Sequence, residues 1–214
     1  YVSCVYNPKA ESAEKFAIQH RIENYTDSLE ELTMLTDAVY IASLHETHYE
    51  YAKYMLNNKK HVLCEKPAVL KKSQAEELYS LAKENNVVFM EAVKTAYCPG
   101  FHAMMAAAKS GKIGRIIDVE AAFSRLTPVN TREYMAQDYN GSFLEFGSYV
   151  CMPVFELLGC DYDDVRFHSM RTVNGVDAYT KAVFSFGGKS AEVKTGLGVK
   201  TEGQLLISGT NGYI

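Results

Sequence analysis

The 214-residue chain predicts an α/β protein in two parts, a parallel sheet first and then an α+β domain with a mostly antiparallel sheet. Two patterns carry this. Up to about residue 95, short strands that are apolar on both faces alternate with helical segments, as a covered parallel sheet requires. Beyond it, one long apolar helix precedes a series of alternating runs punctuated by glycine. The boundary is placed near residue 95, dividing 1–95 from 96–214.

The elements follow in order. A β-like run at 2–6 ends in the turn signal Asn7-Pro8. Ala13, Phe16 and Ala17 then share one helical face within 11–20. A short helix follows Ser28, which forms a capping box with Glu31 unless Asp27 is the cap. DAVYIA at 37–42 is a strand, and 48–57 is a helix with Tyr51, Ala52 and Met55 as its stripe. A strand at 60–64, a helix at 73–85 capped by Ser73 with Glu76, and a strand at 87–90 complete the first part. The second part opens with an Ala- and Met-rich helix at 99–109 and a strand at 115–123. A helix spans 142–158, with Pro153 in its first turn or kinking it. Strands at 165–173, 177–186, 190–196 and 204–208 follow, and Gly187-Gly188 marks a hairpin. Val183, Phe184 and Phe186 read either as core or as an outer face used in self-association.

Composition narrows the partners. A net charge of -4 argues against nucleic acid and anionic membrane, though an anionic small ligand still fits a local basic pocket. No apolar run approaches the ~20 residues of a spanning helix. Cys4, Cys64, Cys98, Cys151 and Cys160 form no CxxC pair. Four of the five sit among apolar or helical residues, so buried free thiols and a reducing compartment, the cytoplasm, are expected. The opening residues read as a strand already under way, and 205–214 end within strand and turn, so a piece of a longer polypeptide is expected.

The chemistry concentrates at HVLCEKPA, 61–68, where an apolar strand runs into Glu65, Lys66 and Pro67. Pro67 restricts Lys66 to extended backbone. Lys66 is then either an active-site cation or a surface lysine ahead of a helix. Glu65 either pairs with Lys66, orients a ligand hydroxyl or caps that helix. His45 and His48 form HxxH without a third ligand at suitable spacing, so no metal site is expected.

HVLCEKP resembles the Gfo/Idh/MocA oxidoreductases, the family of glucose-fructose oxidoreductase and inositol dehydrogenase. DAVYIASLHETH at 37–48, NNVVFMEA, SGKIGRI at 110–116 and GSFLEFGSYV at 141–150 are similar to further family segments, in family order. The resemblance implies a partial Rossmann-type NAD(P)-binding domain over 1–95, starting at its second strand and lacking the glycine-rich loop. It also implies a substrate and oligomerisation α+β domain over 96–214, and a homodimer.

The resemblance further implies that Lys66 is the active-site lysine and that the Lys66–Pro67 bond is cis. Glu145 and Tyr149 take the family's acid and proton-transfer positions, and their i,i+4 spacing puts them on one helix face. Glu145 stands where aspartate is commoner. Ser43, His48, Glu65 and Lys66 would border the nucleotide. Asn7 and Lys9 end the second strand without an acid, which favours NADP over NAD. Tyr97 and Arg125 would join Lys66, Glu145 and Tyr149 around the substrate, with Asp138 and Tyr139 as further pocket candidates. The implied reaction is hydride transfer between nicotinamide and a sugar, polyol or related alcohol–carbonyl pair. Tyr149 would move the hydroxyl proton, Lys66 would favour its phenolate or hold the reacting oxygen, and Glu145 would orient substrate or lysine. Two other classes stay open: a non-enzymatic ligand sensor on the same scaffold, and a redox-neutral enzyme that uses NAD without net turnover.

Overall fold

The computed structural model describes residues 1–135 and 138–214. They form two compact units, Tyr1–Ala92 and Val93–Ile214.

Unit 1 runs β1 (Cys4–Tyr6), α1 (Ala10–His20), β2 (Asn24–Thr26), α2 (Leu29–Leu35), β3 (Ala38–Ile41), α3 (His45–Asn57), β4 (His61–Cys64), α4 (Lys72–Glu84) and β5 (Phe89–Glu91). All strand pairing is parallel, β1 with β2 in one sheet and β3-β4-β5 in another. Leu32, Ile41, Met55, Leu56, Val62 and Leu78 fill the core between strands and helices. The sequence reading missed β2, because Asn24-Tyr25-Thr26 is too short and polar to show a period. Only half of the expected capping box forms at α2. Ser28 Oγ accepts from the Glu31 amide at 3.3 Å, but the Glu31 carboxylate takes the Thr26 hydroxyl instead. The Ser73 cap of α4 is also absent. That helix starts at Lys72, and Gln74 Oε1 accepts from the Leu70 amide at 3.2 Å.

Unit 2 contains α5 (Pro99–Lys109), β6 (Ile116–Ser124), α6 (Ser142–Leu158), β7 (Asp164–Arg171), β8 (Asp177–Phe186), β9 (Lys189–Gly196), β10 (Gln204–Gly209) and β11 (Gly212–Tyr213). Two 3-10 turns, Lys94–Tyr97 and Arg132–Tyr134, lie in the connections. The six strands are ordered β11-β10-β6-β9-β8-β7, and β6–β9 is the parallel pair among antiparallel neighbours. The β8–β9 hairpin turns through Gly187 and Gly188, both at positive φ (52° and 91°), where glycine carries no Cβ penalty.

Helix α6 and the sheet share an apolar core. Val150 and Val154 from α6 cluster with Val119, Ala182 and Val193 from the strands. Each such aliphatic side chain contributes about 1.5–3 kcal/mol when fully buried. Phe184 and Phe186 lie in this core, while Val183 falls on the opposite face of β8. Pro153 is buried well inside α6 rather than in its first turn. It supplies no N–H to the carbonyl of Tyr149, four residues earlier. Among the described residues, no helix is long and apolar enough to cross a membrane.

The cysteines are free, but fewer are buried than expected. Cys4 and Cys64 are buried, Cys151 is half-buried, and Cys98 and Cys160 are exposed because they sit at helix ends rather than on apolar faces. Burial pushes the Cys64 thiol up to about 12, with Glu91 and Glu65 adding to it, and burial alone pushes Cys151 up to about 12. The thiolate is the reactive form. In the native protein, iodoacetamide at mildly alkaline pH should therefore label Cys98 and Cys160 well before Cys64 and Cys151. Peptide mapping that finds equal labelling of Cys64 and Cys160 would contradict these assignments.

Candidate functional site

In unit 1 the candidate residues gather where β3 and β4 end. Parallel strands there release two loops, 42–44 into α3 and 65–71 towards α4. His48 joins them. Its Nδ1 lies 2.9 Å from the Pro67 carbonyl and its Nε2 lies 3.2 Å from the Ser43 carbonyl. Both partners are carbonyl oxygens, which only accept, so the ring donates from whichever nitrogen carries a proton. His48 is 0% exposed. The sequence reading set it beside a nucleotide, and in the structure it lies buried between these two loops. Ser43 is fixed from the other side, its Oγ accepting from Thr47 Oγ1 at 2.7 Å.

The turn bearing Lys66 has two further anchors. Tyr40 on β3 donates its hydroxyl to Glu65, whose other carboxylate oxygen lies 3.3 Å from the Lys66 amide. Glu91 on β5 accepts from the Ala68 amide at 3.1 Å. The Lys66–Pro67 peptide bond is cis, as the resemblance implied. Lys66 is thus presented, half-buried, from a turn tied to β3, α3 and β5. Glu65 is a turn anchor, and α4 begins only at Lys72. At the carboxyl end of β1, Asn7 Oδ1 accepts from the Lys9 amide at 2.9 Å. This Asx turn leaves the Lys9 side chain exposed.

In unit 2 Glu145 and Tyr149 project from one face of α6, and Glu145 is buried while Tyr149 is half-buried. The Phe123 ring, at the end of β6, lies 5.5 Å from the Tyr149 ring and 5.0 Å from Phe146. Phe123 remains 43% exposed, so it forms an apolar wall beside the tyrosine. The sequence reading passed over it as the last apolar residue of an alternating strand. Arg125 follows that strand. Its amide donates to the Gly196 carbonyl at 3.0 Å and its guanidinium lies 3.6 Å from Glu133. Tyr97 lies exposed on the turn before α5. Asp138 and Tyr139 are both exposed. Among the described residues no cluster of His, Cys, Asp and Glu could hold a metal.

Comparison with known proteins covers both units. Residues 1–93 match the model described as "Oxidoreductase family, NAD-binding Rossmann fold". Residues 101–214 match "GFO/IDH/MocA C-terminal domain". The chain is 34% identical over 202 residues to scyllo-inositol 2-dehydrogenase (NADP(+)) IolU of Bacillus subtilis (strain 168), covering 89% of this chain and 60% of that protein. It is 28% identical over 211 residues to trans-1,2-dihydrobenzene-1,2-diol dehydrogenase of Xenopus laevis, covering 95% of this chain and 63% of that one. The fold matches that of GenD2 from gentamicin A biosynthesis, solved in complex with NAD, with a TM-score of 0.89 at 20% identity over 100% of this chain and 64% of the other. The chain therefore spans about three fifths of the length of these relatives.

The place of His48 between the loops has a direct test. His48→Ala removes the buried ring between the two loops, leaves a loop carbonyl without its donor, and should destabilise unit 1 by about 1–3 kcal/mol. Amide exchange at 65–68 should rise with it, and unchanged protection there would show that the turn is held without His48.

Proposed function

The chain belongs to the Gfo/Idh/MocA oxidoreductase family, and on that premise we propose that the protein interconverts an alcohol and a carbonyl on a sugar, polyol or related small molecule. The observation that carries this reading is the pairing of Glu145 with Tyr149 one turn apart on α6, Tyr149 lying beside the Phe123 wall. The named activities of IolU and the dihydrodiol dehydrogenase, both on vicinal hydroxyl-bearing rings, support the substrate class.

The strand ends of unit 1 fit NAD(P). Open parallel sheets bind dinucleotides beyond their carboxyl ends, and Asn7, Lys9, Ser43, Glu65 and Lys66 all stand there. A nicotinamide held there would supply the hydride chemistry. The chain's own residues handle the proton and the charge. Tyr149 passes the hydroxyl proton at the reacting oxygen, and Glu145 orients a substrate hydroxyl. Lys66 places a positive charge against an oxygen of the bound reactants. Phe123 covers an apolar face of the substrate and keeps water from it. NADP is the preferred cofactor in this reading. Lys9 is an exposed cation at the end of β1, where no acid is available to hold a ribose diol, and the IolU name specifies NADP(+).

In the intact protein, inositols and related polyols should yield reduced nicotinamide. Tyr149→Phe and Lys66→Met should each lower kcat by more than about 10-fold, and wild-type turnover in either variant removes that residue from the mechanism. Lys9→Ala should lower kcat/KM with NADP by about 10-fold, the equivalent of one lost charged contact, while NAD changes little. Equal losses with both cofactors would assign Lys9 no part in the choice.

A further inference from the structure

Helix α6 starts inside unit 2, against the sheet. Ser142 and Thr195 are each 0% exposed. The first amides of a helix have no partner within it, and burying them unsatisfied is costly. Gly141, at the cap position, has no side chain with which to accept. The acceptor comes instead from the first residue of β8. Asp177 Oδ2 takes the Phe143 amide at 3.0 Å, the Ser142 hydroxyl at 2.6 Å and the Thr180 hydroxyl at 2.7 Å. Ser142 Oγ also lies 2.9 Å from Thr195 Oγ1. Because the Ser142 proton points to the carboxylate, Thr195 donates in that second bond.

The sequence around the network fits it closely. Gly141 has φ 128°, and a Cβ there would stand 2.0 Å from Asp177 Oδ1. The first glycine of GSFLEFGSYV therefore lets the carboxylate reach the helix. The negative charge also meets the positive end of the helix dipole. Two hydrogen bonds from the first turn of α6 converge on an oxygen that Thr180 also holds from within β8, so the start of the helix is tied to the strand. Tyr149 lies six residues beyond Phe143, about 9 Å along the axis at ~1.5 Å per residue.

We propose that Asp177 is a positioning residue for the reaction, setting α6 so that Glu145 and Tyr149 stand where proton transfer requires them. The inference rests on the oxidoreductase reading above. It adds a role for a residue 28 positions from Tyr149 that touches neither Glu145 nor Tyr149 through any of these bonds. Catalytic geometry is unforgiving, and a misplacement of about 1 Å can cost ~100-fold in rate.

The test uses the intact protein with Asp177→Ala, Asp177→Asn and Ser142→Ala, beside Tyr149→Phe. Asp177→Ala should keep native circular dichroism and bind NADPH within about 2-fold of wild type, yet lose about 10–100-fold in kcat. Asparagine retains an acceptor oxygen, so Asp177→Asn should recover most of that loss. Amide exchange over 143–149 should quicken in Asp177→Ala. If Asp177→Ala does not fold, Ser142→Ala, which removes one of the three bonds, should show the same split between kcat and cofactor binding on a smaller scale. Wild-type kcat in the folded variant, unchanged exchange over 143–149, or asparagine performing no better than alanine would each overturn the proposal. An active Tyr149→Phe, or a wild-type protein without dehydrogenase turnover, would instead overturn the reading it rests on. The exchange data would then still show whether Asp177 anchors α6.

Discussion

A helix N-terminus that is buried must be given an acceptor, and in unit 2 the whole arrangement follows from how that demand is met. The acceptor sits on β8, so α6 cannot be placed until the sheet is in register. Register pairs Thr180 with Thr195 across β8 and β9, and Asp177 with Arg171 on β7. A slip of one residue would turn Thr180 and Thr195 to the opposite face and leave Ser142 against apolar side chains. The polar knot and the apolar core thus specify the same alignment. Ala182 and Phe184 join the core on the same alternation that brings the Thr180 hydroxyl to the Asp177 carboxylate shared with Ser142.

Unit 1 solves a different problem. A turn that ends a parallel strand has carbonyls and amides with no ladder to join, and the turn at 65–68 also carries the chemistry. Tyr40, His48 and Glu91 engage its polar groups from three separate elements. Each is a residue type that functional surveys would single out, yet in each case the polar atom shown is committed to the turn. Lys66 sits half-buried within this turn, and the groups around it leave its backbone little freedom to move. The cation is pre-organised by groups that need not touch a reactant.

The sequence was most legible where signals are local. The strand running into Glu65-Lys66-Pro67, the i,i+4 spacing of Glu145 and Tyr149, and the Gly187-Gly188 hairpin each lie within a few residues, and each stands in the structure. Partners distant in the chain were not legible. Asp177 caps a helix that starts 35 residues earlier, and nothing in the local pattern of β8 distinguishes it from a strand-start aspartate. His48 was recognised as special, but its burial depends on Pro67, 19 residues away. Ser73 looked like a cap by composition, whereas the chain path sets Lys71 at the start of α4. Phe123 required the three-dimensional neighbourhood of Tyr149 before its partial exposure acquired a meaning.

Pro153 gives α6 a property that its length alone would deny it. Within this one continuous helix the hydrogen-bond ladder lacks its rung between Tyr149 and position 153. The start of the helix is fastened by Asp177. Its far end lies in an aromatic cluster, with Phe155 5.6 Å from Phe184 and 6.4 Å from Tyr162. An unbroken rod held at both ends would hand every rearrangement of that cluster to Tyr149. A helix with a missing rung bends more readily at that point, so less of such a rearrangement is passed on to the tyrosine.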